Sequence, residues 1–253
     1  MLKLSYSKIN DYLICPKRYE LIHLLHLLPE NNENIYSAFG SAIHYAIEQS
    51  INQQLDKIAA YAYFESKFNN LFNKIPLAQR QTIFKSEWIS KGQEMLTYFF
   101  DKIFEKASKG KVETEYYFTY QIDKDTIFNG LIDLIFLTPE EKVELWDWKT
   151  GKKMKKEDNL QLRLYALFFQ KATNLMPFKL NYIFLKTGSK NSTEVNLDTL
   201  KQTEQELNEI IARIKKDISL NIFERNPQNN CKYCPVSKFC NEQLQKENEE
   251  SQN

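Results

Sequence analysis

The sequence predicts an α/β protein, a small mixed β-sheet flanked by helices. Three observations carry that expectation. Six glycines and seven prolines in 253 residues are few breakers for a chain rich in Lys, Glu, Leu and Gln, which favours helix. Residues 37–108 keep a helical periodicity, and from about residue 112 the texture changes to strands. The later segments then follow as β-β-β-α-β, an order that suits a mixed sheet behind a helical region.

Residues 1–28 read as two short helices, with Ser5 or Ser7 as the first N-cap and Pro16 in the first turn of the second. An Asn-rich turn at Asn31–Asn34 leads into SAIHYAIEQSI, IAAYAYFESKFNNLF and a long run ending near Lys109-Gly110, with Pro76 as a break. VETEYYFTY (112–120) alternates like a half-buried strand, and TIFNGLIDLIFL (126–137) reads as a central one. VELWDWKT (143–150) is a third strand, reached through a turn containing Pro139. NLQLRLYALFFQKA (159–172) is an apolar-striped helix, LNYIFLK (180–186) a strand and 198–218 a helix. Residues 226–240 form a cysteine-bearing loop.

An apolar share of 42% is enough to bury a core. The longest apolar candidate, Leu21–Leu28, is too short to span a membrane and is broken by His23 and His26. The start, MLKLSYSKINDY, lacks the apolar region of a signal peptide, so a cytoplasmic protein without membrane association is expected. A net charge of +1, from 34 basic and 33 acidic residues, excludes a globally basic coat for nucleic acid. One local basic cluster exists, at Lys149, Lys152, Lys153, Lys155 and Lys156.

Asp133 lies within an apolar strand, where an unpaired carboxylate would cost several kcal/mol, so it needs a partner or an ion. Asp147 and Lys149, two residues apart on the next strand, point to one face. A hairpin would bring Asp133 and Asp147 together, and a divalent cation would remove their repulsion. Such an oxygen cage suits Mg²⁺ or Mn²⁺ on a phosphodiester, with Lys149 placed to orient water and stabilise developing charge. Gln161 and Tyr165, at i and i+4, share a helix face, His44 opens an early helix in FGSAIHYAIE, and Glu115 precedes Asp133 in the first strand. Taken singly, each of these is as well explained by ordinary packing or a surface position.

The order His44, Glu115, GLID (130–133), WDWKTG (146–151), QLRLY (161–165) resembles the PD-(D/E)XK nuclease superfamily, in its RecB-like branch. The resemblance runs from about residue 4 to residue 240 and implies a restriction-endonuclease-like core. The opening LSYSKINDYLICPKRYEL looks like the start of the iron–sulfur members: the CRISPR-associated RecB-like exonucleases, the exonuclease V family and the AddB nuclease domain. It implies that His44, Asp133, Asp147 and the backbone carbonyl of Trp148 bind the metal and that Lys149 is the catalytic lysine. Gln161 and Tyr165 then lie near the DNA strand or position the site, and Glu115 supports it. The basic cluster becomes a DNA-contacting edge, with Lys152, Lys153, Lys155 and Lys156 on phosphates. Two departures are Asp147 at a position where many relatives carry Glu, and a long helical stretch between His44 and Glu115.

The four cysteines are Cys15 and, in C-x₂-C-x₅-C spacing, Cys231, Cys234 and Cys240. Four thiolates can hold a [4Fe–4S] cluster or one Zn²⁺, and structural zinc usually shows two close pairs. By resemblance the iron–sulfur reading is preferred, joining the N- and C-terminal segments. Lys17, Arg18, Lys232, Tyr233 and Lys238 surround the cysteines in sequence.

The expectation is therefore a single RecB-like nuclease domain over 1–253. It comprises an iron–sulfur module (1–28 and 226–240), a helical part (37–108) and a catalytic core (111–220). The expected activity is metal-dependent exonucleolytic cleavage of single-stranded DNA or DNA ends, in CRISPR adaptation or in repair and recombination. A rival is a non-catalytic DNA-binding scaffold for a helicase or an integration complex, and homo-oligomerisation is left open. No G-x-x-x-x-G-K-[ST] is present, so any unwinding belongs to a partner.

Overall fold

A computed structural model describes residues 1–28, 33–151, 159–227 and 231–242, and the chain divides into two compact units. The first unit gathers residues 1–32, 121–128 and 204–253. Its strand β1 (Leu2–Leu4) pairs in parallel with the first three residues of a later strand, Leu2 opposite Thr126. Helix α1 (Tyr6–Ile14) starts where the Ser5 side chain accepts the Lys8 amide at 3.4 Å, which resolves the choice of cap. Pro16 opens α2 (Pro16–Tyr19), where its missing N–H is no loss, and a π-helical turn follows over Glu20–Leu24. The Tyr12 hydroxyl donates to Asp217 at 2.6 Å, tying α1 to the C-terminal segment of the same unit. Residues 226–240, expected as a loop, carry a 3-10 turn at Cys231–Tyr233 and helical residues from 237.

The second unit holds residues 33–120 and 129–203. Asn34 caps α3 (Ile35–Gln53) by accepting the Tyr36 and Ser37 amides at 3.0 and 3.1 Å. There follow α4 (Lys57–Phe72), the short α5 (Leu77–Arg80) after Pro76, and α6 (Lys85–Phe99). α6 runs through a π turn into α7 (Glu105–Lys109). The sheet consists of β2 (Lys111–Asp123), β3 (Thr126–Leu137), β4 (Val143–Lys149), β5 (Pro177–Phe184) and β6 (Ser189–Glu194). β2 and β4 both pair with β3, the latter antiparallel with Leu134 opposite Trp146. β5 runs parallel to β4 after a crossover through α8 (Leu160–Thr173), and β6 returns antiparallel to β5. A last helix, α9 (Leu197–Leu220), begins in this unit.

The core of the second unit joins α3, α4 and α6 to the sheet through Phe39, Phe64, Phe68, Phe99, Trp146 and Trp148. Phe99 meets Trp148 edge-on at 5.8 Å. β4 is buried along its length except at Lys149, as expected of a strand covered on both faces. At Gly92 a Cβ would lie 2.1 Å from the Phe64 ring, so α6 and α4 approach through that glycine. Among the described residues no helix is long and apolar enough to cross a membrane.

Candidate active site

The site is built where the middle of β3 and the end of β4 meet α3 and α8. Asp133 and Asp147 are 8% and 4% exposed, and the Trp148 amide donates to Asp133 Oδ2 at 2.7 Å. That bond holds one carboxylate oxygen and leaves Oδ1 toward His44, whose Nδ1 is 3.4 Å away. His44 Nε2 stands 3.0 Å from the Trp148 carbonyl. Both ring nitrogens thus face acceptors, an arrangement that favours the doubly protonated imidazolium in the metal-free chain. Burial pulls the His44 pKa down, but the Asp133 charge and hydrogen bond, with Asp147 behind them, outweigh it and hold it at about 9. His44 lies in the middle of α3 and not at its opening, because Asn34 starts the helix earlier than the apolar pattern shows.

Glu115 reaches this group by a local distortion. It has φ +50°, left-handed and unfavourable for a side chain with a Cβ, in the middle of β2. His44, Glu115 and Asp133 each offer a ligand atom, all within 4.8 Å of one another, the donor chemistry of a hard divalent cation. Burial and the Asp133 charge raise the Glu115 pKa to about 7 against the pull of His44. Burial and Asp133 also push the Asp147 carboxyl upward, with Lys149 and His44 opposing. Carboxylates crowded in this way store repulsion that a cation relieves.

Lys149 stands 2.7 Å from Asp147 Oδ2, an ion pair without hydrogen-bond alignment, and donates to Gln161 Oε1 at 2.9 Å. Gln161 Nε2 donates to the Tyr165 hydroxyl at 3.3 Å, as the i, i+4 spacing on α8 permits. Burial lifts the Tyr165 phenol to about 12 despite the Gln161 hydrogen bond, so it stays protonated. The structure thus joins Asp147, Lys149, Gln161 and Tyr165 in one chain of contacts beside the His44, Glu115 and Asp133 group. Two contributors escaped the sequence reading. The Tyr182 ring lies under the Lys149 ammonium at 5.0 Å, across the parallel register from Asp147. Gly130 is needed because a Cβ there would strike the Phe118 ring at 2.3 Å and Tyr165 at 3.1 Å. A glycine inside an apolar strand was the available signal. Lys152, Lys153, Lys155 and Lys156 lie outside the described residues.

In the first unit Cys15, Cys231, Cys234 and Cys240 line one cavity of about 330 Å³, all as free thiols. The Asn226 amide donates to Cys15 Sγ and Arg225 Nε to Cys240 Sγ, both at 3.4 Å. Lys17, Arg18 and Lys232 also line it, whereas Tyr233 is exposed.

A family model described as the PD-(D/E)XK nuclease superfamily matches residues 3–241. Among solved structures, a "Putative exonuclease" from Eubacterium rectale shares the fold with a TM-score of 0.57 at 10% identity, over 90% of this chain and 86% of that one. A structure named SSO0001 aligns with a TM-score of 0.42 at 15% identity, over 95% of this chain and 86% of that one. No curated protein matches the chain.

Proposed function

The chain belongs to the PD-(D/E)XK nuclease superfamily, and from that premise we propose that it is a divalent-metal-dependent DNA exonuclease of the RecB-like branch. Its substrate is single-stranded DNA or DNA ends, and its setting CRISPR adaptation or DNA repair and recombination, beside a helicase or integration complex. The observation that carries this reading is the convergence of His44, Glu115 and Asp133 within 4.8 Å, beside Lys149 held between Asp147 and Gln161. His44, Asp133, Asp147 and the Trp148 carbonyl would hold Mg²⁺ or Mn²⁺, with Glu115 at the same group. When bound, such an ion lowers the pKa of water and neutralises charge on the phosphate.

The chain's own residues do the rest. Asp147 and Gln161 fix the Lys149 ammonium, which orients the attacking water and meets the negative charge growing on the phosphate. Tyr165, neutral through the working pH range, accepts from the Gln161 amide and so braces Gln161 and the lysine. Asp133 aligns His44 and is itself held by the Trp148 amide.

The four cysteines hold a [4Fe–4S] cluster of structural role. The shared cavity and the two N–H donors at sulfur support it. The test uses anaerobically purified protein on end-labelled single-stranded DNA with Mn²⁺, beside Asp147→Ala. Degradation by the wild type alone, with the visible absorbance of a cluster, is expected, and the product ladder gives polarity. DNA bound but uncut by both proteins would replace this reading with that of a scaffold.

A further inference from the structure

Tyr36, in the first turn of α3, is 74% exposed, yet its ring is held in place. It packs edge-to-face on Trp88 at 5.5 Å, and Trp88 packs on Phe39 at 5.1 Å. Phe39 in turn meets Phe64 and Phe68 in the core at 5.9 and 6.1 Å. The Lys91 ammonium lies 5.1 Å over the Trp88 ring. The aromatic stack thus ends at the surface in the Tyr36 ring, while Lys91, over Trp88, also pairs with Glu87 at 3.4 Å. Exposed tyrosines are common singly; this one stands on the side of α3 that leads to His44. Residues 36, 40 and 44 follow at steps of four along one ridge, and eight residues of helix place His44 about 12 Å from Tyr36.

Gly40 lies midway. A glycine inside a helix weakens it relative to alanine. At Gly92 the fold demands one, because Phe64 occupies the Cβ position. At Gly40 it does not: a Cβ would meet only Thr150 Oγ1, at the ordinary contact distance of 3.5 Å. What glycine still provides at 40 is close approach of something from outside. Thr150 follows Lys149 directly, so that approach runs alongside the active site.

We propose that this ridge of α3 is the track by which single-stranded DNA enters the site. Tyr36 stacks on a base, and Gly40 lets the sugar–phosphate backbone lie against the helix beside Thr150. The inference rests on the nuclease reading, and continuity with the site argues for this occupant. An exposed aromatic ring takes any base, so the contact is sequence-tolerant.

The test measures binding of a fluorescent oligothymidylate by anisotropy without divalent cation, and melting temperature, on the full chain. Tyr36→Ala is expected to weaken binding about 5- to 150-fold, the range for one stacked base, with Tyr36→Phe close to wild type. Gly40→Ala is expected to raise Tm and yet weaken binding, a pairing that a purely structural glycine would not give. If the wild type degrades DNA while Tyr36→Ala and Gly40→Ala bind as it does, the track is refuted and the nuclease reading stands. A lower Tm for Gly40→Ala, or a change of oligomeric state for Tyr36→Ala with unchanged DNA affinity, also refutes it. A wild type that neither binds nor cuts DNA overturns both.

Discussion

Mn²⁺ binding at His44, Glu115 and Asp133 is expected to release protons, in a number set by pH. In the metal-free chain the His44 pKa is held at about 9 and that of Glu115 at about 7, and neither ligates until its proton leaves. Those values leave about 1.8 protons on the pair at pH 6.5 and about 1.0 at pH 8. This pair alone makes affinity climb roughly 60-fold per pH unit near 6.5 and about tenfold near 8, levelling off above the His44 pKa, and the raised Asp147 carboxyl adds to the slope at the acid end. The same groups govern the stability of the metal-free protein. Both pKa values are raised above their unfolded values of 6.5 and 4.5. Their contribution is therefore fully present below those unfolded values and is lost as pH rises through about 7 and then about 9. Titration calorimetry in buffers of unlike ionisation enthalpy counts the protons directly. A binding heat that is independent of the buffer at pH 6.5 would refute the assignment of these two residues as protonated ligands.

Asp147→Asn is expected to abolish cleavage while raising the Tm of the metal-free protein at pH 8. The gain vanishes near pH 5, where Asp147, its pKa raised by burial and Asp133, is protonated more readily than an exposed aspartate; a melting series over pH reads both. At Glu115, with φ +50°, Gly relieves the backbone and Ala does not. Both variants lose the carboxylate, but Glu115→Gly is expected to be about 1 kcal/mol more stable than Glu115→Ala in urea unfolding. Gly92→Ala places a methyl 2.1 Å from the Phe64 ring, and this overpacking is expected to cost about 1–3 kcal/mol as a lower urea midpoint.

β3 was legible to the residue, 126–137, because an apolar run bounded by turn residues has one comfortable conformation. β1 and β6 were not. Leu-Lys-Leu is too short to show a period, and Ser-Lys-Asn-Ser-Thr-Glu is a polar, largely exposed strand whose only cue is its partner β5. β5 starts at Pro177, three residues before its apolar core. Asp133 and Asp147 stood out locally because carboxylates within apolar strands need an explanation. The closeness of Glu115 to His44 could not be read that way. It depends on a left-handed residue inside an alternating strand, and alternation does not show where a backbone turns over.

The unit that carries the four cysteines is assembled from the two ends of the chain and a short piece from its middle. During synthesis, residues 1–32 leave the ribosome before anything they pack against exists. At 5–20 residues per second, the stretch from 33 to 203 keeps them waiting roughly 10–30 s. In that interval Cys15 is a lone thiol without the other three cysteines, while the second unit can collapse around its own aromatic core. Completion of the cysteine cavity thus waits until Cys231, Cys234 and Cys240 have been made. A chain stopped before Cys231 would carry every active-site residue and the Asn226 amide that meets Cys15, but none of the other three thiols.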